Sequence, residues 1–176
     1  TPMNVHFTKL ADPVPDEVYS AFTKWENDPV LVHLTRPNRS QADLERESEV
    51  DSFELDARLS YNMIYLIYLD GQLVGEMSCQ KDPQHLYKKE PGTAWIGITI
   101  GEESARGKGI GSLAMQYLED EIRTAGYKRI ELGVFEFNTP AQKLYQKMGY
   151  IEIGRIPEFT FWQDKMWTDI RMEKYL

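Results

Sequence analysis

The chain has 176 residues, 41% of them hydrophobic and 27% charged, enough for one domain with a substantial core. Asp plus Glu outnumber Lys plus Arg by 28 to 20, giving −8 at neutral pH. That balance argues against general nucleic-acid or anionic-membrane binding and is compatible with a cationic substrate. The single cysteine, Cys79, excludes an intrachain disulfide framework. No apolar run approaches the roughly 18 residues that span a bilayer, and no basic-then-apolar leader opens the chain, so the expectation is a cytoplasmic protein.

In chain order, Val5 to Leu10 alternates as a first strand, and Ala11 to Pro15 breaks it. Asp16 is expected to cap a helix running to about Glu26, with Val18, Tyr19, Phe22 and Trp25 on one face. Asn27-Asp28-Pro29 stops it. Val30 to Leu34 is a short apolar piece of undetermined type, and Thr35 to Arg39 a loop. From Ser40 a highly charged second helix is predicted as far as Leu59. Met63–Leu69 and Gln72–Cys79 flank Asp70-Gly71, a strong hairpin signal. Gln80 to Gly92 is polar, carries Pro83 and Pro91, and reads as a loop.

A strand over 93–100 leads into Arg106-Gly-Lys-Gly-Ile-Gly-Ser112 and then a helix to about Gly126. In that helix Ile110, Leu113, Ala114, Tyr117, Leu118, Ile122 and Ala125 recur at helical spacing. Arg129 to Phe135 is a strand. Asn138 precedes Pro140, which suits the first turn of a helix running to Met148. Tyr150 to Ile156 is a strand, Pro157 to Asp164 an aromatic-rich loop, and Lys165 to Leu176 a final strand. Helices and strands mixed in this way predict an α/β fold around one mixed sheet, as one domain over residues 1–176.

The strand, glycine-rich turn and helix around Gly107 form the organising element. Glycines let backbone approach a ligand, and the unpaired N–H groups at a helix start favour phosphate. Two phosphate-binding patterns fail on spacing. The Rossmann Gly-x-Gly-x-x-Gly, started at Gly107, meets Ser112 at its last position, and the Walker Gly-Lys-Ser/Thr meets Gly109.

What remains, Arg-x-x-Gly-x-Gly over Arg106 to Gly111, resembles the acetyl-CoA pyrophosphate loop of the GCN5-related N-acetyltransferases (GNAT superfamily). A second run strengthens it. Asn138-x-x-Ala141-x-x-Leu144-Tyr145-x-Lys147-x-Gly149-Tyr150 is similar to that superfamily's Asn-x-x-Ala-x-x-Leu-Tyr-x-Lys-x-Gly-aromatic pattern, in the expected order and separation. The resemblance covers roughly residues 60 to 176. It implies a mixed, mostly antiparallel sheet of about six to seven strands, splayed at the acetyl-CoA site and flanked by helices. Asp28-Pro29-Val30 after the first helix, with a long second helix, resembles the branch holding ribosomal-protein N-terminal and aminoglycoside 6′-acetyltransferases.

On that resemblance acetyl-CoA is the cosubstrate and a primary amine, in an aminoglycoside, polyamine or peptide N-terminus, attacks it directly in a ternary complex. Backbone of Arg106, Gly107, Lys108, Gly109, Ile110, Gly111 and Ser112 would hold the pyrophosphate. Backbone of Ile98, Thr99 and Ile100 would hold the pantetheine arm. Asn138 would contact the cofactor, cap its helix, or both. Tyr145 would be the general acid, since a phenol with pKa near 10 stays protonated at neutral pH.

The base is open. Many members carry a glutamate in an Ala-Glu-Ile-Gly-like run, which here reads Ala94-Trp95-Ile96-Gly97. Glu76 and Asp169 are the substitutes, with deprotonation by water a third route. Trp162 and Trp167, with Phe159 and Phe161, would either wall the acceptor pocket or cover one end of the core. His6, His33 and His85 show no metal or triad spacing, and no metal is expected. Expected partners are a small-molecule or peptide amine, without nucleic acid or membrane, with a homodimer left open. A domain that binds CoA as a sensor or scaffold is the rival.

Overall fold

In the computed structural model, which describes residues 2–176, a single seven-stranded sheet runs through the molecule. The strands are β1 (Val5–Lys9), β2 (Met63–Leu69), β3 (Gln72–Lys81), β4 (Thr93–Ile100), β5 (Arg129–Phe135), β6 (Ile151–Trp162) and β7 (Lys165–Tyr175). Their order is β1-β2-β3-β4-β5-β7-β6, and only β4 and β5 are parallel. The helices are α1 (Asp16–Glu26), α2 (Val32–Thr35), α3 (Gln41–Glu45), α4 (Ser52–Leu59), α5 (Ile110–Thr124) and α6 (Thr139–Lys147). The architecture is the expected α/β one. Among the described residues no helix is long and apolar enough to cross a membrane.

Alternation along each strand sends successive side chains to opposite faces, and each face has its own core. On one, Ile110, Ala114, Met115, Leu118 and Ile122 of α5 pack with Tyr145 of α6 against Val74, Met77, Ile96 and Leu132. On the other, Val18, Phe22 and Trp25 of α1 join Leu55 of α4 over Ile64, Leu66 and Leu73. The helical stripe of α5 follows the predicted one except that Met115 is fully buried, Leu113 is 45% exposed, and Ala125 is exposed as the C-cap.

The β2–β3 hairpin turns at Asp70 and Gly71, whose φ values of 50° and 81° are both left-handed, as a two-residue turn of this type requires.

Three boundaries differ from expectation, and one element of undetermined type is resolved. Pro15, not Asp16, stands at the cap of α1, with Asp16 as the first helical residue. The apolar piece after Pro29 forms the short helix α2. The single helix predicted from Ser40 to Leu59 is two, α3 and α4. Ser40 caps the first by accepting from the Asp43 N–H at 3.2 Å, and Asp51 caps the second by accepting from that of Glu54 at 2.9 Å. Between them the backbone finds better partners on α1: the Ser48 N–H donates to Asn27 and the Val50 N–H to Thr23, each at 2.9 Å, as Val50 is buried. The long second helix that supported one branch of the resemblance is absent. Finally, the aromatic loop predicted from Pro157 is mostly strand. β6 runs through a register irregularity between Ile156 and Thr160, which accommodates a proline with no N–H to give, and re-pairs as far as Trp162.

Candidate functional site

Strands β4 and β5 pair only from Thr93–Trp95 to Arg129–Glu131. Beyond Trp95 they part. β4 continues against β3 to Ile100, while β5 continues against β7 to Phe135. Backbone of Ile96 to Ile100 consequently faces a wedge-shaped gap, where its polar groups need partners from outside the sheet. The predicted splay is present, and Ile98, Thr99 and Ile100 line it.

At the mouth of the gap the chain leaves β4 through Gly101 and a 3-10 turn, Glu103–Ala105. Both the Gly101 and Glu102 N–H groups donate to the Val74 carbonyl. The Arg106 side chain folds back, its Nε donating to the Ile100 carbonyl at 3.2 Å and its Nη2 to the Gly101 carbonyl at 3.0 Å. Its guanidinium braces the turn, which leaves the backbone and the exposed Lys108 to face a ligand.

Gly107 and Gly109 have φ of 72° and 78°, with open space where a Cβ would stand. Gly109 caps α5, whose first N–H groups receive no side-chain cap and whose first turn carries no acid. Ile110, Gly111 and Ser112 open the helix, with Gly111 close to Leu144 of α6. A positive helix end with unpaired donors and a glycine cradle fits a pyrophosphate, and the gap of unpaired β-backbone fits an amide-bearing arm. The residues present therefore suit acetyl-CoA.

Asn138 caps α6: its Oδ1 accepts from the Ala141 N–H at 3.4 Å. Tyr145 lies on the α5 side of the sheet, buried, edge-on to Tyr150 at 6.0 Å. Burial alone pushes its phenol up to about 12.

Glu76 lies on the opposite face. It stands directly across from Thr99 in the β3–β4 ladder, and both line a cavity of about 110 Å³. Phe22, Trp25 and Glu26 of α1, Arg58 of α4, and Thr35 and Arg36 from the end of α2 complete the wall. Burial pushes the Glu76 carboxyl up to about 7, with Arg58 pulling it down and Glu26 pushing it up. Arg58 itself is ion-paired with Glu26 and, at 3.0 Å, with Glu54. The cavity wall is tied to the cofactor turn as well, for the Trp25 indole N–H donates to Glu102 at 2.6 Å.

Asp169 flanks the gap from the β5 side, buried and registered with Phe135. It accepts from Arg171 Nε at 2.8 Å, in a buried network where Arg171 and Arg129 both pair with Glu131 and Arg129 also with Glu173. Burial raises its carboxyl against the pull of Arg171. Trp95, where the familiar glutamate would stand, lies beneath Arg171, 4.7 Å from its guanidinium, and meets His85 edge-on.

Trp162 stacks on His33 at 4.7 Å and contacts Phe137, which Trp167 meets edge-on. These rings, with Phe159 beside Phe135, form one aromatic cluster and are not in the cavity wall. Among the described residues no group of three or more His, Cys, Asp or Glu side chains is arranged to hold a metal. Sequence reasoning missed Arg36, Arg58 and Glu26. They sit in a loop and on charged helix faces with no spacing to mark them, and only the packing of α1 and α4 on the sheet brings them together.

Comparison with known proteins agrees with this geometry. The family model described as Acetyltransferase (GNAT) family matches residues 18–150. An uncharacterized N-acetyltransferase of Bacillus subtilis, YdgE, is 40% identical over 80 residues, covering 46% of this chain and 48% of the relative. The spermine/spermidine N(1)-acetyltransferase of the same organism is 31% identical over 85 residues, 48% of this chain and 56% of the relative. The chain thus spans about half the length of these curated relatives. The solved phosphinothricin acetyltransferase of Sinorhizobium meliloti, in complex with acetyl-CoA, superposes with a TM-score of 0.75 at 13% identity over 98% of this chain and 88% of that one.

Proposed function

Because the chain belongs to the acetyltransferase (GNAT) family, we propose that it acts as one domain that transfers the acetyl group of acetyl-CoA to a primary amine by direct attack in a ternary complex. Acetyl-CoA supplies the acyl thioester and, on departure, a thiolate. The Gly107–Ser112 backbone holds the pyrophosphate at the start of α5. The Ile98–Ile100 backbone holds the arm in the gap, and an N–H near Ile98 polarises the carbonyl that is attacked.

The amine enters from the cavity and gives its proton to Glu76. A carboxyl held near 7 is partly ionised at neutral pH and basic enough to take a proton as the nitrogen bonds to carbon. The thiolate leaves toward the other face, where Tyr145 donates a hydrogen bond to the sulfur. With its phenol near 12 and a thiol near 8.5, complete proton transfer is uphill. Tyr145 therefore contributes mostly by stabilising charge.

One observation carries this reading: Glu76 lines the α1-side cavity with Thr99 while Tyr145 is buried on the α5 side of the sheet, which gives attack and departure separate sides. Trp95 packs elsewhere, and Glu76 supplies the carboxylate that the cofactor strand lacks. This favours the enzyme over a CoA-binding scaffold. Asp169 is already ion-paired with Arg171, which makes it the weaker base. Aminoglycosides, polyamines and peptide amines are the candidate acceptor classes, and a cytoplasmic setting accords with the lone buried Cys79.

The test is thiol release from acetyl-CoA with a panel of primary amines. Amine-dependent release that falls on the order of 10² to 10⁴-fold in Glu76→Gln is expected. Tight acetyl-CoA binding with no amine-dependent release would return the scaffold reading.

A further inference from the structure

Arg36 is the C-cap residue of α2, and its position is fixed from several sides. The Asn38 side-chain amide donates to the Arg36 carbonyl at 3.0 Å and to that of Val32 at 3.2 Å. The Asn38 N–H donates to Thr160 Oγ1 at 2.9 Å, which ties this loop to β6. The Arg36 guanidinium reaches the cavity wall, and its Nη2 donates to the Asp43 carbonyl at 2.8 Å. Its Nε is buried and has no hydrogen-bond partner. Arg36 enters none of the ion pairs among the described residues. The carboxylate of Asp43 is committed instead to the Arg39 N–H at 2.9 Å and to Arg46.

A buried, unpaired donor on a charged group costs stability unless a ligand supplies the acceptor. The guanidinium fork is suited to a planar carboxylate. The rest of the cavity sharpens the choice. Its other cation, Arg58, is already neutralised by Glu26 and Glu54. Two ionisable groups are left to meet a ligand, Glu76 and Arg36, within a space of about 110 Å³. That volume suits the head of a small molecule. A second ammonium of a polyamine would meet the positive Arg36 guanidinium there. The net acidity of the whole chain, which favours cations at long range, is not the character of this cavity.

We propose that the acceptor is a small primary amine bearing a carboxylate, as an amino acid does, with the carboxylate on Arg36 and the amine facing Glu76. This rests on reading the cavity as the acceptor side of an N-acetyltransferase.

The experiment measures thiol release from acetyl-CoA with the proteinogenic amino acids, each beside its primary amide, and with spermidine. In the wild-type protein at least one amino acid should exceed its amide by about tenfold or more in kcat/KM. That ratio should fall toward one in Arg36→Gln and partly return in Arg36→Lys, which restores charge without the fork. Should Arg36→Gln fail to fold for want of its bond to the Asp43 carbonyl, the wild-type acid-to-amide ratio decides alone. Amides or spermidine used as well as the acids would overturn the proposal, as would a ratio that survives in Arg36→Gln.

Calorimetric titration of the same acids and amides into the acetyl-CoA-loaded protein separates the two levels of the argument. Acid-selective binding without thiol release keeps the carboxylate site and removes the transferase reading. Absence of any acid-selective binding, with or without turnover on other amines, removes the carboxylate site.

Discussion

Glu76 and Thr99 stand directly opposite each other across the β3–β4 ladder, so the candidate base and the cofactor strand share one cavity. If Glu76 is the base, as proposed, its ionised form is the competent one. Rates under kcat/KM conditions should therefore climb as pH rises through about 7. Stability should run the other way. The carboxyl titrates near its ordinary 4.5 in the unfolded chain and near 7 in the fold, so the fold's advantage is complete below 4.5 and declines as pH rises toward 7. The difference is worth roughly 3 kcal/mol. Glu76→Gln should lose activity yet melt higher than wild type at pH 8, with the gap closing below pH about 4.5. A variant that melts lower at pH 8 would contradict the buried-carboxylate account.

The neighbours of Glu76 set its titration in opposite senses. After burial, which raises the carboxyl most, Arg58 lowers it and Glu26 raises it. Glu26→Gln also releases Arg58 from its ion pair. That variant should move the acidic limb of the pH–rate profile to lower pH, and Arg58→Gln should move it higher. Shifts in the same direction, or none in either, would mean that the limb reports another group.

Gly107 and Gly109 adopt left-handed backbone in open space. Replacing either by alanine meets no steric neighbour, and the cost is conformational, about 1–2 kcal/mol. Gly107→Ala should lower the melting temperature by a few degrees. Retreat of the turn's N–H groups should weaken acetyl-CoA on the order of tenfold. Gly111→Ala is the contrast, because Gly111 lies in ordinary helix and an added Cβ would meet only Leu144 Cδ2 at 3.2 Å. Equal losses in acetyl-CoA affinity for Gly107→Ala and Gly111→Ala, read by titration, would remove the special role of the turn.

The cofactor half of the site was legible because it is written locally. The roles proposed for Gly107, Gly109, Asn138 and Tyr145 depend on turn geometry, a helix start and one helix face, all of which leave spacing in the sequence. The proposed acceptor half was not, because Glu26, Arg36, Arg58 and Glu76 come from four separate segments and meet only when α1 and α4 close over the sheet. The charged run from Ser40 to Leu59 misled for a related reason. Its charge pattern permits helix throughout, and the interruption comes from the Ser48 and Val50 N–H groups donating to Asn27 and Thr23 instead of along the helix. Pro157 looked like the end of a strand, but pairing resumes at Thr160 with Trp167.

Tyr145 tests whether the leaving-group side works as proposed. Burial is the one influence on its phenol, and no hydrogen-bonding or charged neighbour contributes. Removing the hydroxyl therefore leaves no partner stranded, and the ring can keep its edge-on contact with Tyr150. Tyr145→Phe should be at least as stable as wild type. It should bind acetyl-CoA with unchanged affinity and lose kcat about 10- to 100-fold, the cost of roughly one hydrogen bond to a charged atom. Pre-steady-state thiol release under saturating amine would place that loss in the chemical step. An unchanged kcat, with product release shown not to limit the rate, would reduce Tyr145 to a packing residue and leave departure of the thiolate to solvent and the α5 terminus.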